Sequence, residues 1–331
     1  MTFPMYKTIH IIQLISCLLS QTTNFFLLYL IWTKARRVLG TYRYLMGTFS
    51  IYAIVYNYVD IITQPLVLIE RQMYVVVNHG ILRNTPVIGF LFTCMFGASF
   101  GLCISLLSTQ FFYRYLAVCR PTKLIHVEGY RIILLFVPAM FVCITWFLNC
   151  YFGLAITPTK QEILRIPFME EYGEDSSTMA FVGGMYWTVD SNGERHWSLP
   201  DCIGSMGLAA LMTICCSTIV YCGVETYKKM NDAGNSMSER TKELNRQLFI
   251  TLSLQTLLPF VLMYGPVGLL FLLPFFEANI GFLASSAAAS TAIYPALEPL
   301  IAIFCIKSFR NTLICYRNKN KVSSTGVSIV Q

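Results

Sequence analysis

Seven stretches of this chain are strongly apolar and hold no lysine and a single arginine, Arg114 at the inner end of the third. Each is about 20 residues or longer, the length a helix rising about 1.5 Å per residue needs to cross a hydrocarbon layer. They run over Ile11–Trp32, Tyr44–Ile69, Val87–Ala117, Ile132–Leu154, Ile203–Gly223, Leu248–Leu273 and Ile280–Ile306. Only 12% of residues are charged, against about 25% in soluble domains, so there is too little polar material to cover a water-facing surface. The expected fold is an all-α membrane protein: one seven-transmembrane helix bundle over residues 1–306, then a tail over 307–331. The first stretch is too long for a signal-peptide core and lacks a small-residue cleavage site after it, so it reads as a retained span.

Eighteen of the 24 lysines and arginines fall at or after the ends of spans one, three and five and on the tail. The other six share the opposite side with ten carboxylates, including Glu170, Glu171, Glu174 and Asp175. Cationic flanks remain in the cytoplasm, so the expected orientation has the N-terminus outside. Insect-type odorant-gated channels keep the N-terminus inside and are disfavoured. The net charge of +7 sits in short clusters between apolar stretches, which fits membrane topology better than nucleic-acid binding. The twelve cysteines show no metal-ligand spacing, and most read as packing residues.

The outer loop between spans four and five, 155–201, is long enough to be a lid. Met185 to Val189, then Asn192-Gly193, then Arg195 to Trp197 fits a β-hairpin in this second extracellular loop; an irregular polar loop is the alternative. There is no N-x-[ST] sequon.

The four histidines, His10, His79, His126 and His196, stand in no catalytic or zinc motif, so the chain does not read as an enzyme. No span holds a lysine to form a retinal Schiff base, and no cofactor or metal is implied. Asp60 and Glu298 lie inside spans, where a carboxylate calls for a network or a function. Asn24 and Glu298 fall at similar heights, roughly 12 Å from the inner face, so a hydrogen bond between them is open; packing alone is the other reading. Pro138, Pro259, Pro266, Pro295 and Pro299 lie inside spans and can act as kinks. On span three, Phe92, Phe96, Ser99 and Cys103 share one helical face, which suits either a ligand pocket or interhelical packing; Met95, Tyr264 and Ser286 are further ligand candidates.

The inner end of span three reads Tyr113-Arg114-Tyr115 and continues to Arg120-Pro121, resembling the Asp-Arg-Tyr element of rhodopsin-like receptors with Tyr113 in the place of the acid. The resemblance widens to the Str class of nematode serpentine chemoreceptors, the odorant-receptor-like group, over nearly the whole chain. Its carriers are Leu39-Gly40-Thr41-Tyr42-Arg43, Asn192-Gly193-Glu194-Arg195-His196, Arg240-Thr241-Lys242, Leu254-Gln255-Thr256-Leu257 and Tyr294-Pro295-Ala296-Leu297-Glu298-Pro299. It implies a rhodopsin-like G-protein-coupled architecture and an olfactory receptor in the plasma membrane of sensory cilia. Its partners would be a small environmental ligand, a heterotrimeric G protein and membrane lipid.

On that resemblance Arg114, Tyr115, Arg240, Lys242 and Arg246 are placed at the G-protein face, and Asn24, Asp60, Tyr294, Pro295 and Glu298 in an activation network. The family's usual ionic lock lacks its acid here. The disulfide that often ties span three to the second outer loop has only Cys94 and Cys202 to draw on. Phe309, Leu313 and Tyr316 suit an amphipathic helix on the inner leaflet, with Cys315 as a lipidation site. A transporter would show an internal repeat and a channel a polar pore, and neither pattern is evident.

Overall fold

The computed structural model describes residues 5–33, 39–124, 127, 129–190, 192–232, 239–278, 280 and 282–312. Among the described residues, seven helices are long and apolar enough to span a membrane: Met5–Thr33, Tyr42–Thr63, Pro86–Cys119, Gly129–Gly153, Leu199–Asp232, Thr241–Phe276 and Leu283–Cys305. They are called spans one to seven below.

Span two ends six residues before its apolar window does. Pro65 cannot donate a backbone hydrogen bond and disfavours helical geometry in the residue before it, and Gln64 turns left-handed at φ +37°. The remaining apolar residues form strand β1, Leu66–Glu70, paired antiparallel with β2, Met73–Val77. β2 also pairs with β3, Phe181–Met185, from the loop between spans four and five. The result is a three-stranded sheet in the order β1-β2-β3, lying across one end of the bundle.

Both faces of this sheet are covered, and its side chains alternate between them as the two-residue period requires. Leu66, Leu68, Met73, Val75, Val77 and Phe181 pack against Leu164, Phe168 and Tyr172 of a lid helix, Pro158–Tyr172. Val67, Tyr74, Val76 and Val182 face the bundle. The lid helix was absent from the sequence expectation. Thr157 caps its first turn by accepting from the Lys160 amide, and Gly173, at φ +69°, terminates it. Gly184 lets β3 pass close to Tyr74, since a Cβ there would fall 2.6 Å from its ring and force the ring to shift.

The hairpin expected near Asn192-Gly193 exists, with narrower strands: β4 is Trp187–Val189 and β5 is Arg195–Trp197. Met185, expected to open it, belongs to β3. The Asp190 carboxylate accepts the Asn192 and Glu194 amides, and Gly193 takes φ +83°, so the connection is wider than a two-residue turn.

Span six is interrupted where its prolines stand. An α-helix to Pro259 gives way to a π-turn, Phe260–Tyr264, and α-helix resumes at Gly265–Leu272 with Pro266 in its first turn. π-turns and prolines are the ordinary causes of helix kinks. Pro138 follows a 3₁₀ segment, 129–136, in span four.

Candidate functional site

Beneath the sheet lies a cavity of about 80 Å³. Val67, Tyr74, Val76 and Val182 roof it; Phe96 and Phe100 of span three, Trp146 and Cys150 of span four, Leu208 of span five, Leu270 and Phe271 of span six, and Ala288 and Thr291 of span seven wall it. Its hydroxyls are already engaged: Tyr74 with Ser205 at 2.8 Å, Thr93 donating to the Gly89 carbonyl at 2.8 Å, Thr291 to that of Ala288 at 2.9 Å. The walls therefore present almost wholly apolar surface. The β4–β5 hairpin contributes no lining residue; Trp187 packs against Trp197 and Arg195 pairs with Glu277 at 2.7 Å.

Of the seven ligand candidates from the sequence, Phe96 lines this cavity. Phe92 is half-buried outside the lining. Met95 is 42% exposed, one residue out of phase with the buried face of span three, and Ser286 is exposed at the start of span seven. Ser99, Cys103 and Tyr264 form a layer just below. Tyr52 donates to the Ser99 carbonyl at 3.0 Å, Tyr264 to the Phe100 carbonyl at 3.2 Å, and the Cys103 thiol lies 3.4 Å from the Tyr294 hydroxyl. Sequence reading missed the roof residues and Trp146, since neither the sheet nor the lateral order of spans shows in an apolar window.

The lid is fastened by a buried ion pair that replaces the doubtful disulfide; Cys94 and Cys202 are both free thiols. Lys160 and Asp201 are 1% and 3% exposed. The Lys160 ammonium donates to Asp201 Oδ1 at 2.5 Å, to the Ala155 carbonyl at 2.7 Å and to the Gly183 carbonyl at 2.9 Å, while Ser198 donates to Asp201 Oδ2. All three ammonium protons are used. Burial draws the lysine pKa below its ordinary value, and the facing carboxylate opposes that shift. At a neighbouring corner His79 lies among Tyr6, His10 and Tyr172, with ring centroids 5.1–5.6 Å away. Burial first, and Arg83 second, lower its pKa to about 4.

Asn24 reaches span seven, but not at Glu298. Pro299 has no N–H for the Pro295 carbonyl four residues back; Asn24 Nδ2 donates to it at 3.0 Å and Ser20 Oγ at 2.9 Å, and Asn57 Nδ2 donates in turn to Ser20. Glu298 instead accepts from Gln255 of span six. Height along the helices did not reveal that the Pro295 carbonyl, left without an N–H by Pro299, would take the Asn24 amide. Asp60 is 2% exposed, one turn from Asn57 toward the lid.

At the opposite, basic end, Arg114 is 4% exposed. Its guanidinium lies 4.1 Å from the Tyr42 ring centre, Tyr42 stacks on Tyr113, and Tyr42 donates to Gln110. Arg114 forms no ion pair among the described residues, in keeping with the acid missing at 113. Tyr115 is half-buried near Arg120, and Lys242 and Arg246 are exposed. The Arg240 side chain, together with Leu313, Cys315 and Tyr316, lies outside the described residues.

This arrangement is that of a known fold. Squid rhodopsin superimposes with a TM-score of 0.58 at 14% identity, covering 93% of this chain and 83% of its own. The fold is therefore that of a seven-helix G-protein-coupled receptor. Residues 9–314 match the family described as serpentine type 7TM GPCR chemoreceptor Str, and the chain belongs to that family. Similar proteins include serpentine receptor class r-10 of Caenorhabditis elegans, 30% identical over 95% of this chain and 92% of its own. The receptor of the same name from Caenorhabditis briggsae is 28% identical over 91% and 89%. The G-protein coupled receptor str-217 of Caenorhabditis elegans is 27% identical over 89% and 86%. The chain is thus a multi-pass membrane receptor rather than an enzyme.

Proposed function

We propose that the chain is an olfactory receptor of the sensory cilium membrane, N-terminus outside, that binds a small environmental molecule and signals through a heterotrimeric G protein. The observation that carries this reading is the roofed cavity and its contact with the broken helix of span six. Phe100 on the cavity wall accepts from Tyr264, the last residue of the π-turn. On the other side of that turn, Gln255 holds Glu298 of span seven. A molecule in the cavity therefore presses on the backbone that anchors the span-six hinge. It can favour an open basic end only by binding that state more tightly. Opening would uncover Arg114 from beneath Tyr42 and offer it, with Tyr115, Arg240, Lys242 and Arg246, to the G protein.

The test is a calcium or cyclic-nucleotide response in cells co-expressing the chain and a G protein, screened with volatile and water-soluble odorants. A response lost in both Arg114→Ala and Ala288→Leu supports the proposal; a ligand-evoked current independent of G protein overturns it. An N-terminal epitope that antibody reaches only after permeabilisation would overturn the orientation.

A further inference from the structure

The cavity is closed toward the lid end. Above it lie the sheet, the lid helix and the Lys160–Asp201 pair, and the edge near span six is sealed by Tyr186 stacked on Phe275 at 4.0 Å. Its flank toward the bilayer is built differently. Span five packs on span three, on the π-turn at the end of span four and on β3. Between spans five and six runs an open groove of about 890 Å³, bordered by Ala209, Met212 and Cys216 on one side and Gly268, Phe271 and Leu272 on the other.

Phe271 borders both volumes. On span five, Leu208 lines the cavity and the next residue, Ala209, borders the groove. One layer of side chains divides them. The backbone of Phe271 is pinned, since its carbonyl accepts from the Tyr186 hydroxyl at 2.8 Å, while its ring meets Tyr74 edge-on at 5.2 Å. The Phe271 ring is therefore the side chain that has to turn for groove and cavity to join.

We propose that the cavity is filled from the side: a small uncharged, hydrocarbon-like molecule dissolves in the bilayer, enters the groove between spans five and six, and passes Phe271. This rests on the reading of the cavity as the ligand site. The cavity's apolar walls and engaged hydroxyls select the same molecules that lipid concentrates, by about fourfold for each methylene. A gate on the route alters arrival and departure equally and leaves equilibrium occupancy unchanged, which separates a route from a binding contact.

The experiment uses the full chain in lipid nanodiscs with 1,1,1-trifluoropropane as probe, read by ¹⁹F exchange spectroscopy. A Cβ at Gly268 would meet nothing within 4 Å, and Ala209 is exposed across the groove, so Gly268→Trp and Ala209→Trp plug it from opposite walls. Ala288→Leu fills the cavity instead. Expected are a saturable bound signal absent from Ala288→Leu, and an exchange rate at least tenfold slower in both groove variants at unchanged occupancy. Unchanged rates in both plugs, or rates raised by Lys160→Met and indifferent to the plugs, overturn the lateral route and leave the cavity reading standing. Absence of any saturable signal overturns the cavity reading and the route with it.

Discussion

At the lid end Lys160 gives every ammonium proton to a fixed acceptor, whereas at the basic end Arg114 lies on a tyrosine ring and Lys242 and Arg246 stand in solvent. The lid end also has a sheet buried on both faces, while the basic end is closed by side chains around Tyr42, Tyr113 and Leu248. A buried and fully answered charge is costly to disturb, and an exposed one is nearly free to move. The difference marks the lid as the more firmly fastened end.

The sharpest way to break this contrast is Lys160→Met, which leaves Asp201 buried and unpaired. It should cost about 3–5 kcal/mol, seen as a lower Tm and faster hydrogen exchange in β1–β3. The double variant Lys160→Met with Asp201→Leu should recover most of that loss. If the single variant leaves β1–β3 protected, the lid is not held as described. Gly184→Val drives a side chain into the Tyr74 ring and should cost about 1–3 kcal/mol, with exchange rising in β2 and β3 before any span. Asn24→Leu removes one of two donors to the Pro295 carbonyl and should cost about 0.6–1.7 kcal/mol, measured by unfolding in detergent.

Acid should loosen the lid corner specifically. His79 has an ordinary pKa of 6.5 that falls to about 4 in the fold. Above pH 6.5 both folded and unfolded forms are neutral there and the full stability is present. As the pH falls from about 6.5 to about 4 the unfolded form takes up the proton first, so stability declines across that window. His79→Phe should flatten this part of the pH profile. The smallest effect is expected at the other end: Lys242→Ala with Arg246→Ala should change unfolding stability by less than about 0.5 kcal/mol while weakening G-protein coupling.

The spans were legible because long apolar stretches hold almost no lysine or arginine, and the kinks because proline marks them. Strand β1 was not, since a strand covered on both faces is as continuously apolar as a helix and only Pro65 announces the change. The lid helix left ordinary signals in Thr157-Pro158 and Gly173, but Glu170 and Glu171 beside Phe168 and Tyr172 disguised its apolar stripe. The site was the least legible part. Helical phase located Phe96, yet the roof comes from two separated loops and Trp146 from a span whose neighbours no periodicity records.

The carbonyl of Pro295 has a mechanical consequence. Because Pro299 cannot close that rung, span seven completes its ladder with atoms lent by Asn24 and Ser20, and Asn57 joins the loan through Ser20. A helix that shares its rungs with a neighbour cannot be withdrawn alone without stranding an acceptor in hydrocarbon. Spans one, two and seven thus behave as a stator. Span six meets that block through Gln255, which donates to Glu298, and through the Leu262 carbonyl in its π-turn, which accepts from Ser290 of span seven; it is the rotor, coupled to the stator on both sides of Pro259.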